Sequence, residues 1–285
     1  MSGMLPQELQ EFRVLLKARS GIDLGEGKEY LVVNRLAPLV RQRGGTLSEL
    51  LHELPFDRAL CDEVIDAMTT NETSFFRDLH PFESLRTKLI PQIMEKNRAT
   101  KQLRILSGAS STGQEAYSLA MMLRSSFPEL NSWRVGIQGI DLSRHAVARA
   151  QEARYSQLEI NRGLPVANLR YFRREGRSFV VVDELRALCE FKQMNLIESW
   201  GPLGPFDLSL MRNVLIYFDV PTKEAILRKL VNVTVPGGVV MLGSSETTLS
   251  LDVALTPERV GSSTVFRTPD RSASLWVSPA MAPTS

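Results

Sequence analysis

One short loop combines closely spaced glycines with a carboxylate. In LSGASSTGQEAY, Gly108 and Gly113 have the spacing of a phosphate-binding loop, but Gln114 and Glu115 follow where such a loop has Lys and then Ser or Thr. The loop therefore lacks the positive charge that meets a triphosphate. A carboxylate at this place suits a ligand that carries positive charge. Alternatively, Glu115 only stabilises the N-terminus of its own helix.

Asp141 adds a second requirement for the ligand. It ends the strand-like stretch VGIQGID, and an acidic residue in that position usually accepts hydrogen bonds from ribose hydroxyls. The sequence has no G-x-G-x-x-G motif for a pyrophosphate. A nucleoside that carries positive charge and no phosphate meets both requirements. S-adenosylmethionine, which has a ribose, an ammonium and a sulfonium, is such a molecule.

Composition excludes several classes of protein. The chain has 285 residues, a formal net charge of +2, 43% hydrophobic residues, two cysteines and three histidines. This charge is too small to indicate nucleic-acid binding, and the cysteines and histidines lack the spacing of metal ligands. The sequence shows no secretory leader and no apolar run of membrane-spanning length. We therefore expect a cytoplasmic protein with reduced cysteines, no metal and no membrane insertion.

The elements that must position these residues change in character near residue 90. Before it, apolar residues recur with helical spacing; after Lys101, short apolar strands alternate with helices. The predicted strands are 103–107, 135–141, 206–213, 237–245 and, as a closing edge strand, 261–268. The predicted helices between them are 113–127, 143–153 and 222–233. This alternation predicts a doubly wound parallel sheet, with its ligand beyond the carboxyl ends of the strands.

Two stretches depart from the alternation. Within 155–192, a β-branched run at 179–182 lies beside a turn around Gly176, which predicts a small hairpin inserted into the sheet domain. The tail, 269–285, is rich in Ser, Ala and Pro and is predicted to be disordered.

Several segments together resemble the chemotaxis receptor methyltransferases, the CheR family. They are NETSFFR (71–77), SSTGQEAYS (110–118), GIDLS (139–143), NLIE (195–198) and MRNVLIYFD (211–219). They occur in the family's order, and the resemblance extends from about residue 10 to 268. Enzymes of this family transfer a methyl group from S-adenosylmethionine to glutamate side chains on the cytoplasmic helices of methyl-accepting chemotaxis receptors. The resemblance thus implies a protein-glutamate O-methyltransferase that leaves S-adenosylhomocysteine as product.

The resemblance also implies an architecture of the α/β class. A small all-helical N-terminal domain for receptor recognition would occupy 1–75, followed by a linker at 76–100. A Rossmann-like S-adenosylmethionine-dependent methyltransferase domain would occupy 101–268, with a small β-subdomain inserted at about 165–192.

Site residues are carried over by matching the motifs position by position. The implied cofactor contacts come from the linker, the glycine loop, and the ends of later strands. They are Asn71, Thr73 and Arg77; Glu115 at the amino-acid end of the cofactor; Asp141 at its ribose; Asn195 and Leu196 at its adenine; and Arg212 and Asn213. Simpler alternatives exist for some: NETSFF could be an ordinary helix end, since Asn and Thr bond to local backbone.

Three residues match catalytic or substrate-orienting positions of the family: Arg77, Arg174 and Tyr217. The attacking glutamate carboxylate is ionised at neutral pH, because its ordinary pKa is about 4.3, so it needs no general base. An arginine could clamp it and the tyrosine could orient it with one hydrogen bond. Too strong a clamp would slow the reaction, because the transfer neutralises both charges.

The sequence also departs from the family's pattern. Gln114 and Ala116 replace Glu and Pro of the common STGEEPYS motif. The segment NRLAPLVRQRGG interrupts a basic run, so it either meets an acidic receptor helix or is a solvated face. The hairpin RREGRSFVVV is short, which argues against tethering to a receptor's C-terminal pentapeptide by strand addition. Three alternatives stay open: the same chemistry on a non-flagellar sensory array, a non-catalytic cofactor-binding scaffold on receptors, and a small-molecule methyltransferase.

Overall fold

The computed structural model describes residues 5–270. The predicted disorder of the tail therefore lies, from residue 271 onward, outside the described residues. Within them, no helix is long and apolar enough to cross a membrane.

The N-terminal part is helical and has its own core. Its helices are α1 (Pro6–Ser20), α2 (Glu29–Arg43), α3 (Leu47–Glu53) and α4 (Arg58–Met68). Two of these helices have an N-cap residue that accepts a backbone N–H. The Thr46 hydroxyl accepts the Glu49 N–H at the start of α3, and the Asp57 carboxylate accepts the Leu60 N–H at the start of α4. Their apolar faces enclose a cluster of buried side chains that includes Phe12, Leu16, Val32, Leu36, Leu60 and Val64.

A bent helical segment joins this part to the sheet. It consists of α5 (His80–Ser84), a π-helical turn (Leu85–Leu89) and α6 (Ile90–Lys96). Leu85, Leu89 and Ile90 are fully buried against the sheet's core. The segment therefore packs as part of the sheet domain.

The second part is built on a mostly parallel sheet, seven strands wide among the described residues. The strands in chain order are β1 (Gln102–Gly108), β2 (Arg134–Asp141), β3 (Arg154–Ser156), β4 (Phe172–Glu175), β5 (Ser178–Val181), β6 (Cys189–Gln193), β7 (Phe206–Met211), β8 (Thr234–Leu242), β9 (Thr256–Val260) and β10 (Ser263–Arg267). The order across the large sheet is β6-β2-β1-β7-β8-β10-β9, and the first five strands run parallel. The order reverses at β1, so the ends of β1, β2 and β7 border a crevice of the kind that binds ligands.

Helices cover both faces of this sheet. They are α7 (Gln114–Ser126), α8 (Arg144–Glu152), α10 (Asp183–Arg186) and α11 (Val220–Val233), whereas α9 (Gln157–Asn161) packs against β3 and β5. One face carries α7 and α8 over an aromatic cluster, and the other carries α11, which buries its own Leu227 and Leu230 against the sheet. The predicted fold class, a helical N-terminal part followed by a methyltransferase-type sheet with a small β insertion, is confirmed.

The inserted region differs in detail from the sequence prediction. It is a three-stranded antiparallel sheet in the order β3-β5-β4, in which β3 lies before the expected hairpin. Cys189–Gln193 does not belong to it but pairs in parallel with β2 as an edge strand of the large sheet. The short sequence CEFKQ buries Phe191 and exposes both of its neighbours, which is the alternation of an edge strand. At the far edge, β9 lies outside β10, so 261–268 contains a strand but not the closing one.

An aromatic cluster packs beside the glycine loop that follows β1. The ring of Phe75 lies 5.0 Å from that of Tyr155 in an edge-to-face arrangement, and both side chains are buried. The hydroxyl of Tyr155 donates to the carbonyl of Thr112 at 2.7 Å. The insertion strand β3 therefore fixes the loop after β1.

Candidate active site

A cavity lies at the carboxyl ends of β1, β2 and β7, between the helical part and the sheet. Both parts of the chain line it. The residues assigned from the sequence that line it are Asn71, Thr73, Arg77, Glu115, Asp141, Asn195, Leu196, Arg212, Asn213 and Tyr217. The helical part contributes, among others, Ile22, Asp23, Leu24, Lys28 and Arg35.

Arg174 does not line this cavity. It lies on β4, an outer strand of the small sheet, and is exposed. Its Nε donates to the carbonyl of Gly176 within the same hairpin at 3.4 Å. The structure thus separates Arg174 from the cavity residues and gives no geometric support to the catalytic role expected for it.

Glycines in the loop after β1 allow the backbone to approach the cavity. A Cβ atom on Gly108 would lie 2.4 Å from the Cε of Met211, so a side chain at this position would require Met211 to shift. Gly113, which precedes α7, has φ +93°, a conformation that favours glycine. Ala109 and Ser111 also have positive φ values of 51° and 49°. The loop is held in a strained shape at the place where a ligand would meet its backbone.

Asp141 is buried beside this loop. It is 5% exposed, and its carboxylate accepts the N–H groups of Ser111 at 2.7 Å and Ser143 at 2.9 Å. Burial raises the pKa of Asp141 above its ordinary value, against the lowering effect of these N–H groups. The neighbouring Ser110 hydroxyl is buried and has no partner among the described residues. Both groups can bond a polar ligand in the cavity.

A buried arginine joins the two carboxylates nearest the loop. The Nη1 of Arg212 lies 2.8 Å from Glu115, and its Nη2 lies 2.9 Å from Asp78; its side chain is only 2% exposed. The second oxygen of Glu115 accepts the Ser107 hydroxyl at 2.8 Å. One guanidinium facing two carboxylates leaves this cluster with a net charge of −1. The cluster disfavours phosphate and favours a cation, in agreement with the sequence argument.

Arg77 is held by its backbone as well as by its side chain. It lies in a turn where Phe76, Asp78 and Leu79 have φ values of 49°, 68° and 40°, which are unusual for residues other than glycine. Arg212 donates to the carbonyl of Arg77 at 2.9 Å, and the Nη1 of Arg77 donates to that of Glu72 at 2.8 Å. These two hydrogen bonds hold the turn in its strained conformation, as is usual for strained turns at functional sites.

Tyr217 belongs to a loop that is bonded both to the helical part and to Glu246. Its carbonyl accepts the N–H of Asp23, from the helical part, at 2.8 Å. Lys17 pairs with Asp219 at 2.9 Å, and this bond, helped by that of Thr222, lowers the pKa of Asp219 to about 2. On the other side, the carboxylate of Glu246 accepts backbone N–H groups of the loop.

The adenine-side residues also contact the helical part. The Nδ2 of Asn195 donates to the carbonyl of Arg19 at 2.8 Å, and its Oδ1 accepts the N–H of Ile197 at 3.2 Å. A Cβ atom on Gly21 would lie 2.5 Å from the Cγ2 of Ile197. The Asn195 amide thus positions the segment after β6 against the helices, beside the cavity that it lines.

Sequence reasoning missed Asp78, Ser107 and Glu246. Asp78 and Ser107 complete the charge cluster, and Glu246 holds the Tyr217 loop. Asp78 directly follows NETSFFR, so its position next to Arg77 could have indicated a residue of the site. Glu246 had no local signal, because its partners lie about thirty residues earlier in the chain.

Fold and site together define a class: the sheet order, the glycine loop after β1 and the buried acid after β2 are those of S-adenosylmethionine-binding methyltransferases. The family model described as "CheR methyltransferase, SAM binding domain" matches residues 71–259. The one described as "CheR methyltransferase, all-alpha domain" matches residues 7–69. The chain belongs to the CheR methyltransferase family, and the resemblance seen in the sequence is confirmed.

Similar proteins cover most of the chain. "Chemotaxis protein methyltransferase Cher2" of Pseudomonas putida is 40% identical over 250 residues, which is 84% of this chain and 90% of the relative. "Chemotaxis protein methyltransferase 1" of Pseudomonas aeruginosa is 40% identical over 247 residues, which is 84% of this chain and 89% of the relative. A "Chemotaxis protein methyltransferase" of Vibrio parahaemolyticus is 38% identical over 253 residues, covering 86% of this chain and 90% of the relative.

Proposed function

We propose that this chain transfers a methyl group from S-adenosylmethionine to glutamate side chains on the cytoplasmic helices of methyl-accepting chemotaxis receptors. The products are glutamate methyl esters and S-adenosylhomocysteine, and the protein acts in the cytoplasm. The observation that carries the proposal is the cavity in which a net negative cluster around Arg212 and a buried Asp141 lie beside Arg77 and Tyr217. The names of the relatives, chemotaxis protein methyltransferases, support the substrate class.

The residues present fit the cofactor. The Asp141 carboxyl group would accept hydrogen bonds from the ribose hydroxyls, and the neighbouring Ser110 hydroxyl is buried without a partner among the described residues. Glu115 would face the ammonium, because the cluster to which it belongs keeps one uncompensated negative charge. Leu196 offers a buried apolar surface for the adenine. Asn71, Thr73, Asn195 and Asn213 supply the remaining polar lining.

S-adenosylmethionine, when bound, supplies a methyl group made electrophilic by a positively charged sulfur. The chain's part is to hold an ionised glutamate carboxylate in line with it, which needs positioning and no general base. Arg77 has N–H groups beyond the one bonded to Glu72, and these would hold the carboxylate. The Tyr217 hydroxyl would orient it with one neutral hydrogen bond. The helical part closes the cavity on the other side and keeps out water.

The organisation of the chain is part of the proposal. Residues 1–75 would recognise the receptor, 76–100 would link the two parts, and 101–268 would catalyse the transfer. The small sheet would be an appendage to the catalytic part. Arg174 is not given a catalytic role, because it lies outside the cavity.

Methyl transfer from radiolabelled S-adenosylmethionine to membranes that contain candidate chemoreceptors tests the proposal. We expect labelled receptor that releases volatile methanol in base, which is the mark of a carboxyl methyl ester. Receptors with the methylated glutamates replaced by alanine provide the control and should stay unlabelled. Cofactor binding without transfer to any receptor of a broad panel would overturn the proposal and favour a scaffold.

A further inference from the structure

Glu246 makes an unusual set of contacts for a residue after a strand. It follows β8 in a short turn, and one carboxylate oxygen accepts the N–H groups of Gly243 at 2.7 Å and Asn213 at 2.9 Å. The other oxygen accepts those of Val214 at 2.8 Å and Leu215 at 2.7 Å. Both oxygens are therefore fully occupied by backbone donors, and three of the four donors belong to the loop that carries Tyr217.

These contacts fix a loop that has little support of its own. Asn213 has φ +59°, and the loop continues directly into a 3-10 turn at Leu215–Tyr217. The first N–H groups of such a turn have no partner within it. The Glu246 carboxylate supplies these partners, and its negative charge suits the positive end of the turn. The direction in which the turn leaves β7, and hence the place of Tyr217, depends on this residue.

From this geometry we propose that Glu246 is a positioning residue for methyl transfer, which acts by holding Tyr217 at the substrate carboxylate. The inference rests on the function proposed above. Glu246 does not line the cavity, so it contacts neither the cofactor nor the substrate. Its effect must pass through the loop at 213–217.

The chemistry requires a carboxylate here. Replacement by glutamine keeps the shape but turns one acceptor oxygen into an NH₂ donor, which faces two backbone donors in either orientation of the amide. Aspartate keeps both acceptors on a side chain one carbon shorter. Glu246→Gln should therefore disturb the loop more than Glu246→Asp does.

Glu224 provides a matched control. It lies on α11, its carboxylate accepts the N–H of Asp252 at 2.9 Å, and it holds a loop that does not line the cavity. Glu224→Gln changes the same kind of bond without touching the Tyr217 loop. Thermal unfolding of each variant checks that the chain folds; if Glu246→Gln does not, Glu246→Asp replaces it.

The test is a double-mutant cycle with Tyr217→Phe, measured as kcat for methyl transfer to receptor membranes. We expect Glu246→Gln to lower kcat by up to the loss that Tyr217→Phe causes, about 2–10-fold, in the wild-type background but less than twofold in the Tyr217→Phe background, because its target is then already gone. Glu224→Gln should change kcat less than twofold in both. Equal losses in both backgrounds, or no loss in the first, would overturn the proposal.

Amide hydrogen exchange separates this proposal from the proposed function. In Glu246→Gln, the peptide that contains residues 213–217 should exchange at least tenfold faster, while Glu224→Gln leaves it unchanged. This result does not need a receptor. If the wild-type chain methylates no receptor, the proposed function fails, and the exchange data still decide whether Glu246 fixes the loop. Unchanged exchange in Glu246→Gln would overturn the positioning role whatever the activity.

Discussion

The cavity has two walls that are held in different ways. The strand-end wall consists of residues 108–115 and 141–143, and the loop wall consists of residues 212–217. The strand-end wall is bonded mainly to the end of the neighbouring strand β2: the Ser110 N–H donates to the Ile140 carbonyl at 2.9 Å, and the Ser111 N–H donates to the Asp141 carboxylate at 2.7 Å. The loop wall is bonded to groups from elsewhere, namely Asp23, Asp78 and Glu246. The strand-end wall is thus tied to the strand next to it, whereas the loop wall depends on partners that are distant in the chain.

This difference gives the two walls different sensitivities. The strand-end wall should keep its shape as long as the sheet is folded, because its loop is bonded to the end of the adjacent strand β2. A wall held by single side chains can lose its shape while the fold survives. A substitution at Asp141 in the strand-end wall should therefore change cofactor affinity directly, and a substitution that disturbs Tyr217 in the loop wall should change turnover.

Arg212→Gln should have the largest effect, because Arg212 joins both walls. The substitution removes the positive charge of a side chain that is only 2% exposed. Glu115 and Asp78 then lose their common partner. Removing one member of a buried ion pair costs about 3–5 kcal/mol. Urea unfolding should show this loss, with Arg228→Gln as the control: Arg228 pairs with Glu224 and Asp252 but is half exposed and should cost less than about 1 kcal/mol. Similar losses in both variants would show that the walls are not joined through Arg212.

Asp141→Ala should weaken S-adenosylhomocysteine binding about 100-fold with the fold retained, because charge-assisted hydrogen bonds to the ribose are worth about 1.5–3 kcal/mol each. Titration calorimetry measures the affinity. Asp207→Ala is the control, since Asp207 also accepts a backbone N–H, from Arg104 at 2.8 Å, but does not line the cavity. Unchanged affinity in Asp141→Ala would contradict the ribose assignment.

Arg77→Ala should lower kcat more than Tyr217→Phe, by about 10–100-fold against about 2–10-fold. A charged hydrogen bond to the substrate carboxylate is worth about 1.5–3 kcal/mol and a neutral one about 0.5–1.5 kcal/mol. Steady-state methylation of receptor membranes measures both. Arg174→Ala serves as the control outside the cavity and should leave kcat within twofold. Equal losses for Arg77→Ala and Tyr217→Phe would mean that the loop wall carries as much of the reaction as the turn at 76–79.

Asp219→Asn should have the smallest effect, and that effect should depend on pH. The Lys17 bond lowers the pKa of Asp219 to about 2, below its ordinary 3.8, so the folded state binds this proton less tightly than the unfolded state does. Its stabilisation is present above pH 4 and is lost as the pH falls through about 2. Urea unfolding should show a difference from wild type of less than about 1 kcal/mol at pH 6 that shrinks towards pH 2. A difference that grows in acid would contradict the assignment.

The residues that hold the two walls in place differ in how well the sequence predicts them. Gly108, Gly113 and Asp141 could be placed because strand periodicity and strand-end chemistry are local properties. The pairing of Asp78 with Arg212 and the role of Glu246 could not, since they appear only when segments 134 and about 31 residues apart come together. The same reason explains why Cys189–Gln193 was expected in the insertion: five residues do not reveal which sheet they join.

The contact of Gly21 with Ile197 has a consequence for how the whole chain melts. Because the backbone at Gly21 meets the Ile197 side chain with no room for a Cβ atom, the helices and the sheet share one close-packed seam. That seam also borders the cavity, through Asn195 and Tyr217. We therefore expect the two parts to unfold together, and a change that lets them melt separately should open the cavity to bulk solvent well below the melting temperature.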